Sequence, residues 1–149
     1  MSSQLKPTAG KPIRVFLWIA QFLLAAVFIM SGLMKFFTPI PELAAQMPWT
    51  GQVSETFVRF IGLIDLAGGI GVLLPALTRV LPRMTPVAAF CATILQVLAI
   101  GFHASRGEFQ VLPLNFVLIS LAIFILWGRW KKAPIAPFQA SSSAPLRRI

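Results

Sequence analysis

The stretch FIGLIDLAGGIGVLLP, residues 60–75, decides the reading of the fold: it is apolar side chains and glycines throughout, except for one carboxylate, Asp65. A soluble helix of this length needs a polar outer face, and this one has none. The rest of the chain is alike. Of 149 residues, 57% are hydrophobic and only 11% charged, against roughly 25% charged in soluble domains. The apolar residues fall into four blocks, Val15–Phe37, Phe57–Leu77, Pro86–Ala104 and Leu112–Trp130, each long enough, or nearly so, to cross about 30 Å of hydrocarbon at ~1.5 Å per residue. The expectation is an all-α polytopic membrane protein, an antiparallel bundle of four transmembrane helices. Residues 1–14 form an N-terminal segment, 15–130 the membrane domain and 131–149 a flexible tail rich in Pro, Ser and Ala.

The first block follows Lys6, Lys11 and Arg14 like a signal peptide, but it runs on to Phe37 without a small-residue cleavage site and is read as a retained span. The formal charge of +9 reflects topology rather than nucleic-acid binding. Lys6, Lys11, Arg14, Arg79, Arg83, Arg129, Lys131, Lys132, Arg147 and Arg148 all fall on one side of a four-span arrangement. Lys35, Arg59 and Arg106 on the other side are balanced by Glu42, Glu55 and Glu108. The positive-inside rule then puts both termini in the cytoplasm of a bacterium, with the bundle in its inner membrane and anionic lipid as a partner. Trp18, Trp127 and Trp130 fall at the inner interface and Trp49 in the outer loop, Thr38–Gln52, which reads either as a brief surface helix capping the bundle or as an ordered connector. Thr85 and Pro86 read as the N-cap and first position of the third span, and Pro113 sits at the start of the fourth. The single cysteine, Cys91, rules out an intrachain disulfide or a CxxC centre. It is read as a buried packing residue.

The polar residues within the spans collect in one half of the membrane. Lys35, Arg59, His103 and Asn115 lie near the outer ends of their helices, with Asp65 and Gln96 deeper. Such a pattern predicts a small pocket opening outward. Gly62, Asp65 and Gly69 share one face of the second span, where glycines admit another helix or a flat ligand, while Gly68 and Gly71 point elsewhere. Ser31 and Lys35 stand at i,i+4 beside Gly32, and Gln96 and His103 are seven apart. An acid in the middle of a lipid-surrounded helix costs about 2.5–3.5 kcal/mol on insertion scales, so Asp65 must face the bundle. There it serves as half of an ion pair with Lys35, Arg59 or His103, as a protonated donor, or as a ligand contact; the residues leave all three open. One histidine excludes a bis-histidine haem within a single chain, and no metal cluster, phosphate-binding loop or nucleophile elbow is present.

Four stretches together, FIMSGLMKFF (28–37), FVRFIGLIDLAGGIGVLLPALTRVLPRMTPVAA (57–89), ATILQVLAIGFHASRGE (92–108) and NFVLISLAIFILWGR (115–129), resemble the DoxX-like family of small four-helix membrane proteins. The resemblance covers residues 15–130. It marks Gly32, Lys35, Arg59, Gly62, Gly68, Pro75, His103 and Asn115 as motif positions, and Asp65 stands where many relatives carry glutamate. It implies an accessory membrane subunit of a redox complex. On that reading, a quinone or quinol is the small molecule and Lys35, Arg59, Asp65, Gln96, His103 and Asn115 are its binding residues. Partners would be the other subunits of the complex or a second copy of the chain. Asp65 and His103 would contact the ring oxygens or handle protons, Lys35 and Arg59 would set the charge of the acid, and Gln96 or Asn115 would orient a carbonyl. The alternative is a noncatalytic scaffold or assembly factor whose buried polar residues fix helix packing. A transporter is a third reading, without a visible inverted repeat.

Overall fold

A computed structural model describes residues 10–138. Five α-helices follow in order: α1, Lys11–Phe37; α2, Ile40–Gln46; α3, Glu55–Thr78; α4, Met84–Ser105; and α5, Leu112–Trp127, which continues through a π turn over Gly128–Lys132. Four of these, with the fourth span running Phe109–Lys132, are long and apolar enough to cross a membrane. The all-α bundle is therefore as expected, and each apolar block lies within one long helix.

Local chemistry sets the boundaries. Pro12 and Pro113 lie in the first turns of α1 and α5, where a missing N–H costs nothing. α1 stops at Thr38, which is extended because Pro39 follows it. Ser54 caps α3 by accepting the Phe57 N–H at 3.3 Å. α4 differs from expectation: it starts at Met84, so Thr85 lies inside the first turn. Its hydroxyl is buried and has no partner among the described residues. Pro86 remains within that first turn, where its lack of a donor is harmless.

The core shared by α1, α3, α4 and α5 is built of Leu24, Phe28, Val72, Ala89, Leu118 and Ile125 with small residues between them. Phe16, Met30, Phe60, Leu98 and Phe116 are more than half exposed on the outside, which is the exterior that lipid rather than water selects. Cys91 also lies on that exposed surface. The expectation of a buried thiol fails because Ala89 and Ala92 take the inward positions of that turn. α1 and α3 pack backbone to backbone. A Cβ on Gly32 would stand 2.7 Å from the Gly62 carbonyl oxygen and 2.9 Å from the Leu66 nitrogen, so the two helices touch where only glycine fits. Gly71 turns away to meet Ala88 of α4, whereas Gly68 faces Phe28 of α1 rather than a separate neighbour.

α2 and a 3₁₀ turn over Pro48–Gly51 fold across one end of the bundle. Leu43 and Trp49 are buried there with Val58, and Trp49 meets Phe102 edge-on at 5.7 Å. At the other end the chain turns between α3 and α4 with Arg79 and Leu81 both at positive φ. Beyond α5, Ala133 is buried and the Phe138 N–H donates to the Arg79 carbonyl at 3.0 Å. Residues 139–149 of the expected tail and most of the N-terminal segment lie outside the described residues.

Candidate functional site

At the α2 end, the interior of the bundle holds a cavity of about 850 Å³, within the size range of small-molecule sites. Five of the six predicted residues line it: Lys35, Asp65, Gln96, His103 and Asn115. Arg59 does not. Lys35 Nζ stands 2.6 Å from Asp65 Oδ2 and 2.8 Å from Ser31 Oγ, and Ser31 in turn donates to Asp65 at 3.1 Å. The two charged side chains are 11% and 8% exposed, so this is a buried ion pair with a hydroxyl bridging it. The i,i+4 spacing of Ser31 and Lys35 on α1 and the inward face of α3 bring it about. The face of Trp49 lies 5.8 Å from Lys35 Nζ and closes over the ammonium.

Arg59 turns instead to the end of α1. Its Nη1 donates to the Lys35 and Thr38 carbonyls at 2.7 Å each, and Nη2 pairs with Glu55 at 2.9 Å. Those carbonyls are the acceptors a helix leaves open at its C-terminus, where a cation also suits the dipole. It holds α1 to α3 and makes no contact with Asp65, because six residues along a helix put the two side chains at different heights.

His103 Nδ1 lies 2.6 Å from Glu108 Oε2, Arg106 donates through Nε to Glu108 Oε1 at 3.1 Å, and Arg106 Nη2 reaches Gln52. Burial alone would raise the Glu108 carboxyl, but the hydrogen bonds to His103 and Arg106 and their charge outweigh it and hold the group below its ordinary value. Glu108 and Ser31 also line the site, although the sequence does not mark them as binding residues. Glu108 follows the helical block in sequence, and only the turn at Gly107, with φ +72°, brings it back beneath His103.

On the cavity wall, Gln96 on α4 and Asn115 on α5 are 6% and 8% exposed, and Gln96 Oε1 and Asn115 Nδ2 have no partner among the described residues. Unpaired amide atoms in such a place are expensive, at about 1–3 kcal/mol each. Met30, Phe60, Leu98 and Leu114 carry the cavity to the seams between helices and are each more than half exposed, so the chamber is not sealed. Its formal charges meet within it: Lys35 with Asp65, and Glu108 with His103 and Arg106. Among the described residues no group of His, Cys, Asp and Glu is arranged to hold a metal ion.

A second polar centre lies at the opposite end. Gln21 donates to the Val72 carbonyl at 2.9 Å and accepts from Arg129 Nε at 2.6 Å, and the Trp18 ring stands 4.9 Å from the guanidinium. By sequence Arg129 is one more interfacial cation, but in the structure it is buried, and burial of a cation without an anion costs several kcal/mol.

This geometry sits within a stretch that is recognisable by sequence, since residues 19–125 match the profile of the DoxX-like family. The chain belongs to the DoxX-like family. No curated protein and no solved structure matches it. The matched stretch runs from the third turn of α1 into the last turn of α5 and includes every residue of this DoxX-like cavity named above. It stops short of Arg129.

Proposed function

We propose that this DoxX-like protein is an accessory membrane subunit of a redox complex and that its cavity takes the head of a quinone or quinol. The observation that carries the reading is the pair of unpartnered amides, Gln96 and Asn115, in an apolar chamber whose charges are already matched. A neutral ring with polar oxygens suits such a place, whereas a carboxylate or phosphate would meet no free cation. A quinone carbonyl can accept from Asn115 and a quinol hydroxyl can donate to Gln96, and the seams at Met30 and Leu98 lead an isoprenoid tail toward lipid. Asp65 and His103 are the groups placed to exchange protons with the ring. The arginines and lysines at the end bearing Lys11 and Lys132 support an orientation with the termini in the cytoplasm of a bacterial inner membrane, so that the cavity faces outward.

The test is native purification followed by extraction and quantification of quinones, with titration of a soluble quinone analogue. Near-stoichiometric quinone is expected. Gln96→Leu and Asn115→Leu should each weaken binding by about tenfold or more while leaving the melting temperature unchanged or raised. A preparation with no quinone and no affinity, but with a stable partner subunit, would overturn this reading and favour the scaffold.

A further inference from the structure

Arg129 is 5% exposed, yet it meets only neutral acceptors: Gln21 Oε1 at 2.6 Å and the Ala133 carbonyl at 3.4 Å, with Nη2 unpartnered among the described residues. This sequence has only four acidic side chains, and none lies in residues 1–9 or 139–149. Asp65 is bound to Lys35, Glu55 to Arg59, and Glu108 to His103 and Arg106. Glu42 stands on α2, at the far end of the bundle. No acidic side chain of this chain is placed to neutralise Arg129. Arg14 makes matters worse: it lies one turn before Trp18 and two before Gln21 on the same face of α1, is exposed, and adds like-charge repulsion.

We propose that the junction of α1 with the end of α5 binds the phosphate of an anionic phospholipid, with Arg14 exposed at its surface and Arg129 buried within it. A guanidinium takes two phosphate oxygens at once, and two guanidiniums suit a phosphodiester better than a carboxylate. The bond given up is the one to Ala133, which at 3.4 Å is long for a hydrogen bond. A lipid rather than a free anion fits the surroundings. Val15, Phe16 and Ile19 next to Arg14 are about half exposed and offer a bed for acyl chains, and Trp127 and Trp130 stand exposed at headgroup depth. Exposed Lys131 and Lys132 add positive potential on the same side. This site lies at the opposite end from the cavity and does not depend on what the cavity holds.

The full chain, in nanodiscs of phosphatidylcholine or phosphatidylcholine with one-third phosphatidylglycerol, tests it by native mass spectrometry and melting temperature. Retention of one phosphatidylglycerol per chain is expected, with about tenfold preference over phosphatidylcholine and a raised melting temperature. Arg129→Gln and Arg14→Gln should each abolish the preference, whereas Arg83→Gln, an exposed cation at the same end, should keep it. Arg14 is on the surface, so that variant reads out binding even if Arg129→Gln fails to fold. An equal loss in Arg83→Gln would mean diffuse attraction to the surface and would overturn the site. The same thermal shift from inorganic phosphate in pure phosphatidylcholine would assign a free anion instead and overturn the lipid.

Discussion

The bundle buries a cation near each end and treats the two in opposite ways. Lys35 has a carboxylate at 2.6 Å, a hydroxyl at 2.8 Å and the face of Trp49. Arg129 has an amide oxygen at 2.6 Å, a distant carbonyl and the face of Trp18. One centre is complete within the chain, and the other finds no anion among the described residues. The difference follows from the placement of the acids, all four of which lie toward the α2 end. It teaches that a buried charge stabilises only through what surrounds it: the same residue class fixes helix register at one end and calls for an outside partner at the other.

The largest effect should come from breaking the complete centre. Asp65→Ala strands Lys35 in the bundle and should cost about 3–5 kcal/mol, read as a fall in melting temperature or in the detergent midpoint of unfolding. Lys35→Met combined with Asp65→Leu removes both charges and should recover most of that loss, so the double variant must be more stable than Asp65→Ala. Gly32→Ala attacks the same helix pair through packing. Its Cβ meets the Gly62 carbonyl and Leu66 backbone, neither of which can rotate away, and a loss of about 1–3 kcal/mol is expected.

Gln21→Glu makes the two ends alike by supplying the missing carboxylate beside Arg129. The carboxylate can no longer donate to the Val72 carbonyl, which offsets part of the gain from the ion pair, so the readout is loss of the thermal shift given by anionic lipid, with a net change in stability within about 1 kcal/mol. Gln21→Leu should lower stability, leaving both Arg129 and the Val72 carbonyl without their bonds.

The smallest effect concerns the clasp of Glu108 with His103 and Arg106. Because the Glu108 carboxyl is held below its ordinary value of 4.5, the folded state favours its ionised form. The stabilisation is complete above that pH and disappears as pH falls through the lower folded-state value. The expected change is under about 1 kcal/mol. Glu108→Gln should remove this acid dependence in thermal unfolding between pH 5 and about pH 3 while leaving the Lys35–Asp65 centre intact.

Much of the fold and the candidate site is legible in the sequence. Asp65 had to face inward, and its spacing from Gly62 and Gly69 named the face. Lys35 was among the three partners offered for it. Arg59 was misjudged, because sequence records that a cation is near an acid along the helix but not that open carbonyls at the end of α1 compete for it. Cys91 was misjudged because a small apolar residue suits the lipid surface as well as the interior. Glu108 was missed because a loop residue carries no periodicity that reveals where it returns.

By itself, the sequence determined the four apolar helices long enough to span a membrane and the end of the bundle at which the basic residues collect, since hydrocarbon imposes length and apolarity on each segment independently of its neighbours. Which polar atoms meet was decided only by the tertiary structure. Hydrogen bonds and ion pairs act over about 3 Å, and whether Lys35 reaches Asp65, or Arg129 meets only neutral acceptors among the described residues, depends on how two helices distant in sequence are rotated and stacked against each other.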